Sequence, residues 1–221
     1  MRRTPQTARR SATVRARWRW FLVGLVSSDS SERLEPRKRI LVLGVPFANA
    51  AYALEVLAEA TGEPAIRQPL ADGDTTWVTR VSLTHGGLNL QFTAAHAPLF
   101  LASVTLDRLV SNADALVMMF SVAKNVLAKG LEYSRAARDT QARLGIELPT
   151  GYIVNDYWSP RLRTIATIEP EVIASALGFP SIEQTCVCRD VHCGRRVPGA
   201  RRLVHLGVSL CRDGIECVSG P

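Results

Sequence analysis

Residues 44–51 (GVPFANAA) have the spacing of a loop that binds phosphate groups. They follow an apolar segment, residues 40–43, that is typical of a buried strand, and they precede a helical pattern over residues 51–60. A phosphate-binding loop of the form G-x-x-x-x-G-K-[ST] lies between a strand and a helix of this kind. Gly44 matches the first glycine of that pattern.

The other positions of the pattern lack the side chains that bind phosphate. Asn49 stands at the second glycine, Ala50 at the lysine and Ala51 at the hydroxyl residue. A lysine would place a positive charge on the phosphates, and a serine or threonine would bind Mg²⁺. Alanine does neither. The sequence therefore predicts the frame of a phosphate loop in which only backbone amides and a helix N-terminus remain to hold an anion weakly.

A second group of candidate ligands lies near the C-terminus, where all five cysteines follow residue 185. Cys186, Cys188, His192 and Cys193 offer thiolates and an imidazole that could hold zinc tetrahedrally. We favour the alternative that Cys186 and Cys188 are half-buried apolar side chains on a strand. An odd number of cysteines without a convincing secretion signal indicates reduced thiols in the cytosol.

Positive charge is concentrated at the N-terminus. Of 27 Lys/Arg and 20 Asp/Glu, residues 1–39 hold eleven and three, which leaves sixteen and seventeen for the remainder. The nearly neutral remainder predicts no specific nucleic-acid partner. We expect residues 1–37 to be a disordered basic arm; alternatively, residues 1–26 adhere to an anionic membrane surface, or the arm binds nucleic acid. No apolar run reaches the roughly 18 residues of a membrane span.

Strand-like and helical segments alternate along the rest of the chain. Strand-like residues 76–84 and 88–93 flank Gly86-Gly87 and predict a hairpin, and turn-forming residues make 61–74 a long loop. The alternation implies a largely parallel sheet, and the hairpin implies one antiparallel strand. Further predicted strands span residues 114–122, 150–154 and 182–188, and further predicted helices span residues 125–144, 169–177 and 199–211.

This order of elements resembles the Ras-like small GTPases, most closely the bacterial MglA-type GTPases of gliding motility. The resemblance covers about residues 38–211 and leaves residues 212–221 as a short tail. It implies a Ras-like three-layer α/β sandwich, with a mostly parallel six-stranded sheet, one antiparallel strand and helices on both faces. The matching segments are residues 44–51, residues 90–96 (LQFTAAH) at the D-x-x-G-Q segment, residues 112–117 (NADALV), residues 152–160 (YIVNDYWSP) at the guanine motif N-K-x-D, and residues 169–180.

The resemblance implies nucleotide-binding positions whose side chains have changed. Ala95 replaces the glycine that meets the γ-phosphate, and His96 replaces the glutamine that orients the attacking water, so His96 is the one catalytic candidate. Phe92 stands where many relatives keep a metal-holding aspartate. Asn155 retains the first residue of the guanine motif, whereas Trp158 replaces its base-reading carboxylate. The resemblance therefore implies no cofactor, with Mg²⁺ and GTP or GDP as the alternative.

We therefore predict a pseudo-GTPase, a cytoplasmic protein-interaction module in polarity, motility or signalling, which the arm could also attach to the inner membrane. The resemblance implies partners of the roadblock (MglB-like) type. The interaction surface would combine the hairpin strands with two switch-like segments, residues 61–75 and 94–103. Two alternatives remain: an active GTPase with rewired ligands, and an adaptor that associates with a membrane or nucleic acid through the arm.

Overall fold

The computed structural model describes residues 36–45, 48–71, 76–96, 103–155, 166–178, 183–185 and 199–213. Residues 1–35 of the predicted arm lie outside the described residues. So do Trp158 and the candidate zinc ligands Cys186, Cys188, His192 and Cys193. The predictions made for them stay predictions.

A seven-stranded sheet forms the middle layer of the protein, in the order β2-β3-β4-β1-β5-β6-β7. Strand β3 pairs antiparallel with both β2 and β4, and every other neighbouring pair is parallel. A single strand therefore runs against the rest, as the hairpin predicts. The strands are β1 (Lys38–Gly44), β2 (Ile66–Pro69), β3 (Trp77–His85), β4 (Leu88–His96), β5 (Ala115–Ser121), β6 (Thr150–Asn155) and β7 (Glu183–Thr185).

Helices cover both faces of the sheet, which confirms the predicted three-layer sandwich. On one face Leu206 of α5 lies against Gly151 of β6, and α1 contacts α5. On the other face α3 packs on β5, where Gly130 meets Phe120, and α3 also contacts α2 and α4. The helices are α1 (Ala50–Thr61), α2 (Ser103–Ser111), α3 (Leu127–Leu144), α4 (Pro170–Leu177) and α5 (Gly199–Asp213).

The sheet has one strand more than the resemblance implies. The prediction of a loop over residues 61–74 is wrong for Ile66–Pro69, which pairs with β3 as β2. An edge strand needs hydrogen bonds on one side only, and proline is tolerated there. A short, turn-rich segment can therefore form the edge strand of the sheet although its sequence does not predict a strand.

Helix α2 was also missing from the prediction, which gave residues 104–113 no element. Its buried side chains Leu106, Leu109 and Val110 have the i, i+3, i+4 spacing of one helical face. Other boundaries differ by a few residues: β4 continues to His96, a 3₁₀ turn (Lys124–Val126) precedes α3, and α5 ends at Asp213. In the described part of the chain, no helix has the length and apolar character that a membrane crossing requires.

The core lies between the central strands and the helices on either side. All seven residues of β5 are buried, as the continuous apolar sequence predicts. On the face of the sheet that α1 and α5 cover, α5 approaches the strands at Gly207. A Cβ atom at Gly207 would lie 2.6 Å from Cδ1 of Ile40 and 2.9 Å from Cζ of the fully buried Phe92. The helix can lie this close to the sheet because residue 207 has no side chain.

Candidate functional site

The carboxyl ends of four strands lie side by side along one edge of the sheet. Open α/β sheets bind ligands at the carboxyl ends of their strands. Strand β4 ends at His96, β1 at Gly44, β5 at Ser121 and β6 at Asn155. Strand β1 lies between β4 and β5 and is parallel to both. The turn from β1 into α1 therefore lies at the centre of this edge, and the described residues around it form the candidate site.

The turn begins with a close contact between strand β1 and helix α1. A Cβ atom on Gly44 would lie 2.7 Å from Cβ of Ala50, so a larger residue requires the helix to shift. The backbone N–H of Val45 donates to the carbonyl oxygen of Met119 in β5, at 3.0 Å. These contacts fix the position of the turn relative to both strands.

Asn49 has the backbone conformation that usually favours glycine. Its φ and ψ are 55° and 44°, and within the described residues it is the only non-glycine residue with positive φ. Asparagine is among the few residues that tolerate this conformation. Its carbonyl oxygen accepts a hydrogen bond from the N–H of Ala53 at 2.9 Å, which starts α1. Asn49 thus supplies the left-handed turn at the position of the second glycine.

Asn155 holds the turn from the end of β6. Its side-chain amide donates to the carbonyl oxygen of Ala48 at 2.8 Å, and both residues are fully buried. The N–H of Ala48 donates to the carbonyl oxygen of Val45 at 3.0 Å. Both polar backbone groups of Ala48 are therefore bonded within the protein, and its amide does not point at a ligand.

The start of α1 presents methyl groups where a phosphate loop has a cation and a metal ligand. Ala50 is buried, and Ala51 is half-buried against the core. Residues 44–54 contain no Lys, Arg, Asp, Glu, Ser or Thr. The electrostatic attraction that this stretch offers an anion comes from the backbone amides at the start of the helix.

His96 lies beside this turn because β1 and β4 run in parallel register, with Val42 opposite Ala94. Its Nε2 atom and the hydroxyl of Thr79 are 2.6 Å apart, and the tautomer decides which of them donates. Burial lowers the pKa of His96, the positive charge of Arg67 lowers it further, and Glu55 acts in the opposite direction. The imidazole is therefore neutral at neutral pH and can accept a proton.

The other positions of the D-x-x-G-Q segment lie within the sheet. Phe92 is fully buried in the middle of β4 and faces α5. Ala95 is half-buried and pairs with Val78 in the hairpin. The structure thus brings together Gly44, Asn49, Ala50, Asn155 and His96 around the sheet edge, and Phe92 lies apart from them. No three His, Cys, Asp or Glu side chains cluster as metal ligands in the part of the chain that is described.

Thr79 was not predicted as the partner of His96, although the sequence contains the signal for this pairing. A two-residue turn at Gly86-Gly87 sets the hairpin register, which pairs His85 with Leu88 and so places Trp77 opposite His96. Thr79 then lies on the same face as His96. The guanidinium of Arg67 lies over the ring of Trp77, 5.5 Å from its centre, and this contact was not predicted because β2 was not predicted.

The fold defines the protein as a three-layer α/β domain. At the carboxyl ends of its central strands, this domain has a strand–turn–helix with the spacing of a phosphate loop. No known protein family matches the sequence, and no curated protein sequence matches it either.

Proposed function

We propose that this chain is a Ras-like, MglA-like domain that works by binding other proteins and does not turn over GTP. The observation that carries the proposal is the turn between β1 and α1. Its frame is held by Gly44, Asn49 and the hydrogen bond from Asn155, while alanines occupy the positions of the phosphate-binding lysine and the metal-binding hydroxyl.

The missing side chains weaken nucleotide binding considerably. A hydrogen bond to a charged group contributes about 1.5–3 kcal/mol, and each 1.4 kcal/mol is about tenfold in affinity. Without the lysine and the metal ligand, affinity falls by roughly a hundredfold or more. Backbone amides at the start of α1 hold an anion only weakly. His96 alone, neutral and bonded to Thr79, does not supply the charge that phosphoryl transfer requires.

The edge of the sheet at β2 supports the protein-binding part of the proposal. Strand β2 pairs only with β3, so its other side is open within the described sheet. Ile66 is 52% exposed and Trp77 is 42% exposed, and Arg67 lies over Trp77. Tryptophan and arginine are frequent anchors of protein interfaces, and an open strand edge can pair with a partner's strand.

The resemblance gives this surface its expected partner and context. We propose a roadblock-type (MglB-like) dimer as the partner, binding across the hairpin strands and the switch-like segments, residues 61–75 and 94–103. A role in polarity, motility or signalling in the cytoplasm follows from the same resemblance. The basic arm could also attach the protein to the inner membrane.

Titration with a fluorescent GTP analogue tests the loss of nucleotide binding. We expect no saturation below micromolar concentrations with Mg²⁺, and no change on adding EDTA. The double substitution Ala50→Lys with Ala51→Ser should gain Mg²⁺-dependent binding, because it restores the two missing groups in a turn that has phosphate-loop spacing. Submicromolar binding by the unaltered protein, abolished by EDTA, would instead establish an active GTP-binding site.

A second experiment tests the interaction surface. Native mass spectrometry of gently purified full-length protein reports partner and nucleotide together. Trp77→Ala should then reduce the fraction of complex at least about tenfold, as expected for an interface anchor. Val172→Ala, which truncates a side chain 48% exposed on α4, serves as the control and should leave the complex unchanged. Equal effects of both substitutions would exclude the β2 edge as the docking surface.

A further inference from the structure

Strand β2 presents a row of backbone hydrogen-bonding groups that no neighbouring strand meets in the described sheet. The N–H of Leu70 donates to the carbonyl oxygen of Thr76 at 2.8 Å, so these residues form a hydrogen-bonded pair at the end of the ladder between β2 and β3. Such pairs alternate along antiparallel strands, so every second residue back from Leu70, including Ile66, bonds to β3. The N–H and C=O groups of Arg67 therefore point outward, and so does the C=O of Pro69.

The side chains of this edge favour the addition of one short strand. Ile66 is exposed and lies on the face of β2 opposite to Arg67. Pro69 has no N–H, so it presents no donor that an added strand would have to satisfy. Sheet edges of this kind pair readily with another strand unless they are covered. An added strand can exchange two hydrogen bonds with Arg67, donate one to Pro69 and pack on Ile66.

The chain itself contains a segment with the composition of such a strand, residues 21–26 (FLVGLV). Phenylalanine and valine are favoured in strands, and six residues is an ordinary strand length. The segment has no charged residue, so pairing would place no like charge opposite Arg67. Its composition therefore suits the β2 edge in both its apolar character and its neutrality.

The chain between this segment and β1 is long enough to reach the β2 edge. Residues 27–35 span up to about 30 Å when extended. Strands β3 and β4 separate β1 from β2, which places β1 and β2 about 15 Å apart. Strands β1 and β2 run in the same direction, because β3 is antiparallel to β2 and β4 and because β4 is parallel to β1. Since the chain enters β1 at its N-terminal end, the shortest connection makes residues 21–26 antiparallel to β2.

Antiparallel pairing also brings segments of opposite charge together. In this arrangement the residues before the segment 21–26 lie beside the residues that follow β2. Arg17 and Arg19 precede the segment, and Asp72 and Asp74 follow β2 in sequence. Opposite charges on neighbouring strands stabilise pairing, whereas like charges oppose it. The order of charges along the chain therefore fits this direction of pairing.

We propose that residues 21–26 pair with β2 of the same chain, as an additional edge strand antiparallel to β2. The added strand bonds to the backbone of Arg67 and covers Ile66. Its consequence for regulation rests on the proposed function: residues 21–26 and a partner protein compete for the β2 edge. The partner then gains this edge only when the arm leaves it.

Hydrogen exchange of the Arg67 amide, followed by NMR in the full-length protein without lipid or partner, tests the pairing. Leu22→Asp with Val23→Asp places a charge on each face of the segment and should make this amide exchange at least about tenfold faster than in the unaltered protein. Ala8→Asp with Ala12→Asp makes the same charge change earlier in the arm and should leave the exchange unchanged. The amides of β5 report whether each variant is folded.

Equal exchange of the Arg67 amide in the unaltered protein and in the segment variant would overturn the proposal. Protection that increases with protein concentration would show pairing with a second copy of the chain and would also overturn it. The measurement includes no partner, so it is separate from the test of the proposed function. If Trp77→Ala weakens the complex but the segment variant leaves Arg67 unchanged, only this inference fails. If the segment protects Arg67 but Trp77→Ala leaves the complex unchanged, only the proposed docking surface fails.

Discussion

The side-chain amide of Asn155 donates to the carbonyl oxygen of Ala48 at 2.8 Å, between residues 107 positions apart in sequence. This bond connects the end of β6 to the turn between β1 and α1, across the intervening strand β5. Both residues are fully buried, so water cannot replace either partner. The position of the turn therefore depends on a strand that is distant in sequence.

Substituting Asn155 should destabilise the domain. Asn155→Ala leaves the buried carbonyl of Ala48 without its amide donor, which costs about 1–3 kcal/mol in the free energy of unfolding. Urea unfolding followed by circular dichroism measures the change. Asn125→Ala, at an exposed position of the 3₁₀ turn, is the control and should change stability by less than about 0.5 kcal/mol. Similar effects of the two substitutions would contradict a structural role for this bond.

The contact between Gly44 and Ala50 can be tested by a compensating pair. Gly44→Ala introduces a Cβ 2.7 Å from that of Ala50, and such overpacking costs about 1–3 kcal/mol. Adding Ala50→Gly removes the opposing methyl group and should restore part of the lost stability. A double-mutant cycle on the free energy of unfolding gives the coupling. Additive effects would mean that the two Cβ positions do not meet.

The left-handed conformation of Asn49 predicts an unusual order of stabilities. Asn49→Gly should be neutral or slightly stabilising, because glycine adopts positive φ without steric cost. Asn49→Ala should destabilise the protein by about 1–2 kcal/mol, since Cβ then crowds the backbone at φ 55°. Thermal unfolding of the two variants ranks them. If the alanine variant is the more stable, residue 49 is not left-handed in solution.

Stability should fall as the pH is lowered through the titration range of histidine. Burial lowers the pKa of His85 below the ordinary 6.5, with the nearby His205, Arg212 and Arg201 adding to the effect. Burial and Arg67 likewise lower the pKa of His96. Below pH 6.5 these two histidines bind protons more strongly in the unfolded chain than in the folded protein. The free energy of unfolding therefore rises with pH across this window.

Unfolding midpoints between about pH 8 and about pH 5 measure this dependence. His96→Gln should flatten it, because glutamine can still bond Thr79 but does not titrate. The carboxyl groups whose pKa is shifted affect stability in a separate and more acidic pH range. Burial raises the pKa of Asp114, but the hydrogen bonds from Arg39 outweigh that effect and the pKa is lowered, so its contribution is lost only below 3.8. Stability that increases on acidification to about pH 5 would contradict the account.

Much of the fold could be predicted because its central elements have strong local patterns. Strand β5 is a continuous apolar run, and the Gly86-Gly87 step marks the hairpin between β3 and β4. Strand β2 could not be predicted in this way. Two of its four residues are exposed, and its conformation depends on pairing with β3 rather than on its own sequence.

The candidate site could be predicted only in part, for a similar reason. Spacing along the chain identifies Gly44, Asn49 and Ala50 because they are close in sequence. The contacts of Asn155 with Ala48 and of His96 with Thr79 join residues that are far apart. Such contacts depend on strand order and register, which emerge only when the whole sheet is assembled.

The close approach of α5 to the sheet also constrains how this chain can vary. Phe92 and Ile40 together fill the space that Gly207 leaves, so the size of residue 207 is coupled to that of both side chains. A smaller residue at position 92 would leave a void beneath the helix, and a larger one at position 207 would collide with the aromatic ring. Homologous chains should therefore show correlated substitution at the two positions, with a smaller residue at position 92 where residue 207 has gained bulk.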